Sequence, residues 1–420
     1  MQRIVVRGGN RLSGEVRASG SKNATLALMA AALLCDEETV LRGAPRVRDV
    51  ETMRQILAAL GVPSGWDEHD PHVLRIGGRG RPSSPEAPYE LVRQMRASFL
   101  VLGPLVARCG IGRVSEPGGC AIGVRPVDQH LKGLEALGAK IRLDHGYVEA
   151  TAPRLQGARI AFDLVTVNGT QNVMMAAALA RGRTEIENAA REPEVIELAE
   201  VLNAMGADVR GAGTDRIEIH GVERLHGVTH DVWGDRIEAG TLLAAGMITG
   251  GAVRVTGVAP ALLETTLEKL REAGAEIASD ADGVSLRAEG RARGIKVVTA
   301  PHPGFPTDMQ AQLMAVLALA EGSSVVTETV FENRFMHVPE LVRLGADIAV
   351  DGRTAHVRGV RALSGAPVMA TDLRASAGLL LAGLAAEGDT VVNRVYHIDR
   401  GYERIEEKLR RLGAEIRREG

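Results

Sequence analysis

The 420-residue sequence predicts an α/β protein of two similar domains, each made of three βαβαββ units around buried helices, an inside-out α/β barrel. Three observations predict this fold class. The tag L-x-x-L-G-A recurs six times with small variations. Apolar stretches of helical composition precede the tags, and short runs rich in β-branched residues flank them.

The tags predict the ends of amphipathic helices, because glycine is the preferred residue just past a helix C-terminus. Successive tag glycines are 68 to 77 residues apart, namely Gly61, Gly138, Gly206, Gly274, Gly345 and Gly413. Each period reads strand, buried helix, strand, amphipathic helix and two further strands, so every copy is predicted to be one βαβαββ unit.

The apolar stretches are hydrophobic nearly all round, which is typical of helices buried on every side. We expect one such helix in each unit, from the sequences LALMAAALL, FLVLGPLVA, VMMAAALA, TLLAAGMI, LMAVLALA and LLLAGLAA. Three buried helices per domain would place the sheets outside them.

The sixth copy stops at the C-terminus without its last strand, and residues 3–9, RIVVRGG, have the pattern of that strand. We therefore predict a first domain over 22–232 and a second domain of 1–21 with 233–420, closed by the N-terminal strand. A solenoid is the alternative that the period alone permits, although such long units and the absence of polar terminal caps disfavour it.

Composition excludes several classes of function. A net charge of −3 and an aromatic content of 3% are not typical of a nucleic-acid-binding protein. No apolar run is long enough for a membrane span, and no signal peptide is recognisable at the N-terminus, so we expect a cytoplasmic protein, monomeric or a weak homo-oligomer. No metal site is expected, since neither the cysteines nor the histidines have ligand spacing. We expect the histidines either at the surface or behind the substrate-contacting residues, namely His130, His302, His337 and His397. Cys35 and Cys109 are predicted to be core residues.

The second copy carries an insertion. Gly110 and Gly138 are 28 residues apart, whereas the equivalent distance in the third, fourth and fifth copies is 23 or 24. The extra residues include Pro117, two glycines and Cys120. A thiol on a glycine-rich loop is a candidate for chemistry, with a tolerated surface insertion as the alternative.

Cations and carboxylates recur where helices begin. Lys22, Arg96 and Arg374 open buried helices, and Arg125, Arg334 and Arg400 stand near the start of the second helix of their units. Such positions favour a ligand with phosphate and carboxylate groups, although each cation alone could be a solvated or capping residue. Asp308 and Asp372 fit either helix N-caps or a general base, and spacing does not choose between these roles.

The motifs resemble a known family along the whole chain. They are SGSKNA (19–24), MRAS (95–98), PGGCAIGVRPVD (117–128), ENAAREPE (187–194), GTDRIEI (213–219), APHPGFPTDMQAQ (300–312), TETVFENRFMH (327–337), ATDLRAS (370–376) and YHIDRGYERIEEKL (396–409). In these residues the sequence resembles the UDP-N-acetylglucosamine 1-carboxyvinyltransferase family of enolpyruvyl transferases. The 3-phosphoshikimate 1-carboxyvinyltransferases share that fold and lack the Pro-Gly-Gly-Cys loop.

The resemblance implies a reaction and a set of roles. Phosphoenolpyruvate and UDP-N-acetylglucosamine would be the substrates, in the first committed step of peptidoglycan synthesis, with the active site in the cleft between the domains and no cofactor. Cys120 would act as acid, form a covalent adduct and be the thiol that fosfomycin alkylates, and Asp308 would be the base. Phosphoenolpyruvate would be held by Lys22, Arg125 and Arg400. The reacting groups and the sugar would be positioned by Asn23, Arg96, Val330, Arg334, Asp372 and Arg374. The uridine diphosphate would be bound by Arg125, Pro126, Val127, Asp128, Gln129, Thr166, Val167 and Asn168.

Some positions depart from the family pattern. Leu164 and Asn168 stand where some members carry Lys and Gly, and Leu100 replaces a tryptophan found in some. These differences affect nucleotide contacts rather than the reaction. Two alternatives stay open, a 3-phosphoshikimate 1-carboxyvinyltransferase and a catalytically idle regulator that binds a UDP-sugar.

Overall fold

The computed structural model describes residues 2–78, 80–116 and 127–420. These residues divide into two compact lobes. The first lobe contains residues 20–78, 80–116 and 127–233, and the second lobe contains residues 2–19 and 234–420. Each lobe has its own hydrophobic core of buried helices covered by small sheets, so the predicted α/β fold class is confirmed.

Three four-stranded sheets form the first lobe. In each of them one edge strand is parallel to its neighbour and the remaining pairs are antiparallel. In spatial order the strands are Thr229–Asp231, Glu38–Arg42, Leu74–Gly77 and Ser64–Trp66; Glu86–Ala87, Ile111–Ser115, Tyr147–Thr151 and Lys140–Asp144; and Arg159–Ala161, Arg183–Glu187, Arg216–His220 and Asp208–Arg210.

The helices of the first lobe are of two kinds. Those buried nearly all round are Lys22–Ala31, Leu102–Cys109 and Val167–Ala177, the first continued by the 3₁₀ turn Ala32–Leu34 and the second preceded by the 3₁₀ helix Arg96–Val101. The others are Arg48–Ala59, Tyr89–Val92, Asp128–Ala136 and Pro193–Ala204. The buried helices approach closely because Gly103 has no side chain. A Cβ atom there would lie 2.4 Å from the carbonyl oxygen of Asn172.

The second lobe repeats this pattern. Its four-stranded sheets are Glu276–Ser279, Gly283–Arg287, Ala252–Thr256 and Ser13–Arg17; Lys296–Val298, Ser323–Thr327, Thr354–Arg358 and Asp347–Asp351; and Pro367–Met369, Asp389–Asn393, Arg3–Arg7 and Glu415–Glu419. A two-stranded sheet joins Leu363–Ser364 to Ala386–Glu387.

Three buried helices form the centre of the second lobe, namely Arg236–Ile248, Gln310–Leu317 and Leu373–Ala385. The remaining helices are Glu264–Glu272, Val338–Arg343 and Ile405–Arg411, with 3₁₀ helices at Pro260–Leu263, Thr307–Met309 and Val395–Arg400. None of the helices in the described ranges is long and apolar enough to cross a lipid bilayer.

The N-terminal strand Arg3–Arg7 lies between Asp389–Asn393 and Glu415–Glu419 and is antiparallel to both. This is the position that the repeat pattern predicted for it. The six tag glycines also behave as predicted, because each has a positive φ, between +80° and +110°. The repeat tags therefore mark real helix ends.

Candidate active site

A carboxylate lies between two arginines in the second lobe. Asp308, in the 3₁₀ turn Thr307–Met309, accepts hydrogen bonds from two guanidinium groups. Nη2 of Arg334 lies 2.8 Å from Oδ1, and Nε of Arg374 lies 3.1 Å from Oδ2. The arginine side chains are 5% and 3% exposed, whereas that of Asp308 is 27% exposed. The carboxylate is therefore the accessible member of the cluster, and it accepts charge-assisted hydrogen bonds from two cations.

The two candidate aspartates have different structural roles. Asp372 is the N-cap of helix Leu373–Ala385, and its Oδ1 accepts from the backbone N–H groups of Arg374 and Ala375 at 2.8 and 3.0 Å. Asp308 is the middle residue of the 3₁₀ turn Thr307–Met309, and its two carboxylate oxygens accept from Arg334 and Arg374. The structure thus separates a residue that orders a helix start from one whose side chain faces arginines.

A buried polar network lies beneath the arginine cluster. Tyr402, 1% exposed, packs its ring against Arg374, with the guanidinium carbon 5.2 Å from the ring centroid. Its hydroxyl lies 3.1 Å from both Thr241 Oγ1 and Gln312 Nε2. The same Gln312 nitrogen donates to the carbonyl oxygen of Asp308 at 2.9 Å. Through the Tyr402 ring this network packs against Arg374. Through Gln312 it is hydrogen-bonded to the backbone carbonyl of Asp308.

Sequence reasoning did not identify Tyr402, Thr241 or Gln312 as part of the site. Gln312 gave a usable signal, because a glutamine within a buried and mainly apolar helix needs hydrogen-bond partners. Arg374 gives a further indication. Its Nη1 and Nη2 atoms are buried and make no hydrogen bond of ordinary geometry to the described residues. Buried donors of this kind are suited to an anionic ligand group.

In the first lobe, Lys22 and Asn23 are the first two residues of helix Lys22–Ala31. The Lys22 side chain is 10% exposed, and its Nζ lies 3.4 Å from Oδ2 of Asp49. Arg96 opens the 3₁₀ helix Arg96–Val101. The prediction that these cations stand at helix starts is therefore confirmed, and Asp49 is a partner that the sequence did not reveal.

The predicted nucleotide residues of the first lobe come close together where the structure describes them. Thr166 is the N-cap of helix Val167–Ala177 and accepts from the N–H of Gly169 at 3.2 Å. Gln129, in the first turn of Asp128–Ala136, accepts from the N–H of Asp163 at 2.9 Å. Leu164, between Asp163 and Thr166, is 65% exposed. The start of helix Asp128–Ala136 also includes Val127 and Asp128, and the start of helix Val167–Ala177 includes Asn168.

Two of the histidines that we expected either at the surface or behind the substrate-contacting residues are buried, which removes the surface alternative for them. His130 is 6% exposed, and its Nδ1 lies 2.9 Å from Nδ2 of Asn172. Because Asn172 Oδ1 already accepts from Gly103, the amide nitrogen must donate and His130 Nδ1 must accept. Burial and the charge of Arg96 lower the pKa of His130 to about 3. Burial likewise lowers the pKa of His337, 1% exposed, to about 4.

The remaining predicted site residues are placed as follows. Val330 follows strand Ser323–Thr327, and Arg400 ends the 3₁₀ helix Val395–Arg400. Cys120, Arg125 and Pro126 lie outside the described residues. Cys35 is buried as predicted, whereas Cys109 is only half-buried. In the described ranges no group of three or more His, Cys, Asp and Glu side chains could hold a metal ion.

Fold and site define a two-lobed α/β protein with an accessible carboxylate held by two buried arginines. The family model for EPSP synthase (3-phosphoshikimate 1-carboxyvinyltransferase) matches residues 6–409. UDP-N-acetylglucosamine 1-carboxyvinyltransferase of Myxococcus xanthus is 59% identical to this chain, over the full length of both. The chain therefore belongs to the EPSP synthase family of enolpyruvyl transferases, which confirms the resemblance seen in its motifs.

Solved structures agree with this assignment. The crystal structure of the enolpyruvyl transferase NikO from Streptomyces tendae has a TM-score of 0.89 and 30% identity, and the match covers 99% of this chain and 98% of that one. EPSP synthase from Acinetobacter baumannii has a TM-score of 0.78 over the full length of both chains. At 20% identity, this second likeness concerns the fold alone.

Proposed function

We propose that the protein transfers the enolpyruvyl group of phosphoenolpyruvate to the 3'-hydroxyl of UDP-N-acetylglucosamine and releases phosphate. The structural observation that carries this proposal is the accessible Asp308 carboxylate between Arg334 and Arg374. A hydroxyl nucleophile needs a base within hydrogen-bond reach, and an anionic co-substrate needs cations nearby. The choice of acceptor is supported by relatives named for this reaction, which are 56 to 60% identical over the full chain.

The reaction proceeds by addition and elimination. Asp308 takes the proton of the sugar hydroxyl while its oxygen bonds to C2 of phosphoenolpyruvate, and Cys120 gives a proton to C3. The product of this step is a tetrahedral ketal that still carries phosphate. A proton then leaves C3, the C2–O bond to phosphate breaks, and the enolpyruvyl ether and phosphate are released. Cations near the leaving phosphate stabilise its charge.

Each substrate has its own set of proposed binding residues. Lys22, Arg125 and Arg400 bind the phosphate and carboxylate of phosphoenolpyruvate. Asn23, Arg96, Val330, Arg334, Asp372 and Arg374 position the sugar and the reacting groups. The uridine diphosphate is bound by residues 125–129 and by Thr166, Val167 and Asn168. The exposed Leu164 offers an apolar surface beside these last residues.

A second candidate function is transfer to shikimate 3-phosphate, which the description of the family model favours. The Cys120 loop and the Arg125–Asp128 run in the sequence speak against it. A regulator that binds a UDP-sugar without turnover is the third possibility, and competent residues at Lys22, Cys120, Asp308 and Arg400 disfavour it.

The deciding experiment measures phosphate release from phosphoenolpyruvate with either acceptor, with and without prior treatment with fosfomycin. Release only with UDP-N-acetylglucosamine, abolished by fosfomycin, is the expected result. A Cys120→Asp variant that stays active should resist the antibiotic, while the matched Cys109→Ser variant should remain sensitive. Release only with shikimate 3-phosphate would establish the second candidate, and binding of the UDP-sugar without any release would leave the regulator.

A further inference from the structure

Glu328 is a buried carboxylate next to the Asp308 cluster. It follows strand Ser323–Thr327 directly, and it is 1% exposed. Glutamate is rarely buried so completely, because an ionised carboxylate loses its hydration and must be compensated by hydrogen-bond donors. Neither the repeat pattern nor the reaction described above gives this residue a role.

Four donors surround the Glu328 carboxylate. Oε1 accepts from the hydroxyl of Thr299 at 2.8 Å and from the backbone N–H groups of Val330 and Phe331 at 2.8 and 3.1 Å. Oε2 accepts from the hydroxyl of Thr307 at 2.8 Å. One oxygen therefore anchors the loop that contains Val330, while the other reaches the residue adjacent to Asp308 in the chain.

The direction of the hydrogen bonds from Thr307 follows from simple donor and acceptor counting. A hydroxyl has one proton, and an ionised carboxylate only accepts, so Thr307 must give its proton to Glu328. A lone pair of Thr307 Oγ1 is then left for Nη1 of Arg334, which lies 3.0 Å away. The other terminal nitrogen of the same guanidinium donates to Oδ1 of Asp308 at 2.8 Å. Glu328, Thr307, Arg334 and Asp308 thus form one directed chain.

We propose that Glu328 is a positioning residue for Asp308, acting through Thr307 and Arg334. The inference rests on the proposed function, because it takes Asp308 as the base. Glu328 accepts the Thr307 proton, so the Thr307 oxygen can accept from Arg334. This contact holds the guanidinium in the orientation in which it donates to the Asp308 carboxylate. A base displaced by about 1 Å loses on the order of 100-fold in rate, so loss of this chain should lower kcat more than substrate binding.

Glu328→Gln separates the two functions of the carboxylate. The single carbonyl oxygen of the glutamine is expected to take the Oε1 position, where three donors converge, so that the Val330 loop stays anchored. Its NH₂ group then faces Thr307 and reverses the hydrogen bond, which leaves the Thr307 proton without an acceptor. Thr307→Val breaks the same chain from the other side, whereas Thr307→Ser keeps the hydroxyl and serves as the matched control.

Steady-state kinetics of phosphate release supply the first test. Glu328→Gln and Thr307→Val should each lower kcat about 10- to 100-fold, with the KM for phosphoenolpyruvate changed by less than about threefold. Thr307→Ser should stay within about threefold of the wild-type kcat. The double variant should resemble the single variants, because both changes break one chain. A wild-type kcat in either disruptive variant, an equal loss in Thr307→Ser, or multiplied losses in the double variant would overturn the inference.

A crystal structure of Glu328→Gln tests the same inference without turnover. Arg334 is expected to turn away from Asp308, and an unchanged 2.8 Å contact would refute the positioning role. Asp308→Asn, assayed beside these variants, distinguishes failure of the proposed function from failure of the proposed role of Glu328. Full activity of Asp308→Asn would remove the proposed base, whereas an inactive Asp308→Asn beside a fully active Glu328→Gln would remove only the role of Glu328.

Discussion

Nη2 of Arg334 donates a 2.8 Å hydrogen bond to Oδ1 of Asp308, 26 residues earlier in the chain. Arg334 lies in the turn before helix Val338–Arg343, and Asp308 lies in the turn before helix Gln310–Leu317. The bond therefore joins two helix starts within one lobe and leaves the carboxylate partly exposed. It orients the Asp308 carboxylate, which we propose as the base.

Replacing Asp308 by asparagine should abolish most of the activity. Asparagine keeps the size of the side chain but cannot take up a proton, so kcat should fall about 100- to 10,000-fold. Phosphate release with both substrates at saturation measures the effect. Asp351→Asn, an exposed aspartate at the end of strand Asp347–Asp351, is the matched control and should leave kcat unchanged. A fully active Asp308→Asn variant would contradict the assignment of the base.

Tyr402→Phe should destabilise the second lobe. The change leaves Thr241 and Gln312 without the hydroxyl to which both are hydrogen-bonded, in a region closed to water. Such a loss costs about 1 to 3 kcal/mol of unfolding free energy, which urea unfolding followed by circular dichroism can measure. Tyr396→Phe removes a hydroxyl from a 43% exposed tyrosine and should have almost no effect. Equal effects of the two changes would argue against the buried network.

The stability of the first lobe should depend on pH through His130. At pH 7 the residue is neutral in the folded and unfolded chain. Below its usual pKa of 6.5 the unfolded chain binds a proton that the folded chain binds only near pH 3. Stability is therefore lost as the pH falls, by about 2 kcal/mol between pH 7 and pH 5 from this residue alone.

Both tryptophans, Trp66 and Trp233, lie in the first lobe, so their fluorescence during urea unfolding reports on it. His130→Gln retains an acceptor for Asn172 and removes the titrating group. This variant should lose about 2 kcal/mol less than the wild type between pH 7 and pH 5. An identical pH dependence of the two proteins would show that His130 does not titrate as the structure indicates.

The three thiols should react at different rates. Burial raises the pKa of both Cys35 and Cys109, so little thiolate is present on either near neutral pH. Cys120 is expected to react first with iodoacetamide, because its glycine-rich loop sequence predicts an accessible thiol. Peptide mass spectrometry after short labelling measures the order of reaction. Labelling at about pH 7.5 is suitable, because this lies about one unit below the pKa of a free thiol. Faster labelling of Cys35 or Cys109 would contradict this prediction.

Local patterns were sufficient for much of the fold. The tag glycines predicted left-handed helix ends, and all six have positive φ. The apolar stretches predicted buried helices, and the pattern of residues 3–9 predicted the missing strand of the last unit. That strand pairs with Asp389–Asn393 and Glu415–Glu419. These features depend on the conformational preference of glycine and on hydrophobic periodicity, which act over a few residues and are visible in the sequence.

Side-chain partners were much less predictable. From the sequence, Asp308 and Asp372 could each be a helix N-cap or a general base. In the structure Asp372 is an N-cap, whereas Asp308 contacts arginines that are 26 and 66 residues away in the chain. The sequence left His130 and His337 either at the surface or behind the substrate-contacting residues, and the structure buries both. Such pairings depend on how separate helices pack, which local composition does not encode.

The sequence by itself determined the repeat architecture, the family and the set of residue types available for chemistry, because each depends on local composition and motifs. Only the tertiary structure decided which carboxylate is held by cations, that Tyr402 supports Arg374, and that Glu328 reaches Asp308 through Thr307 and Arg334. The physical reason is that hydrogen bonds require atoms to meet within about 3 Å. Residues far apart in the chain meet at such distances only after the buried helices have packed.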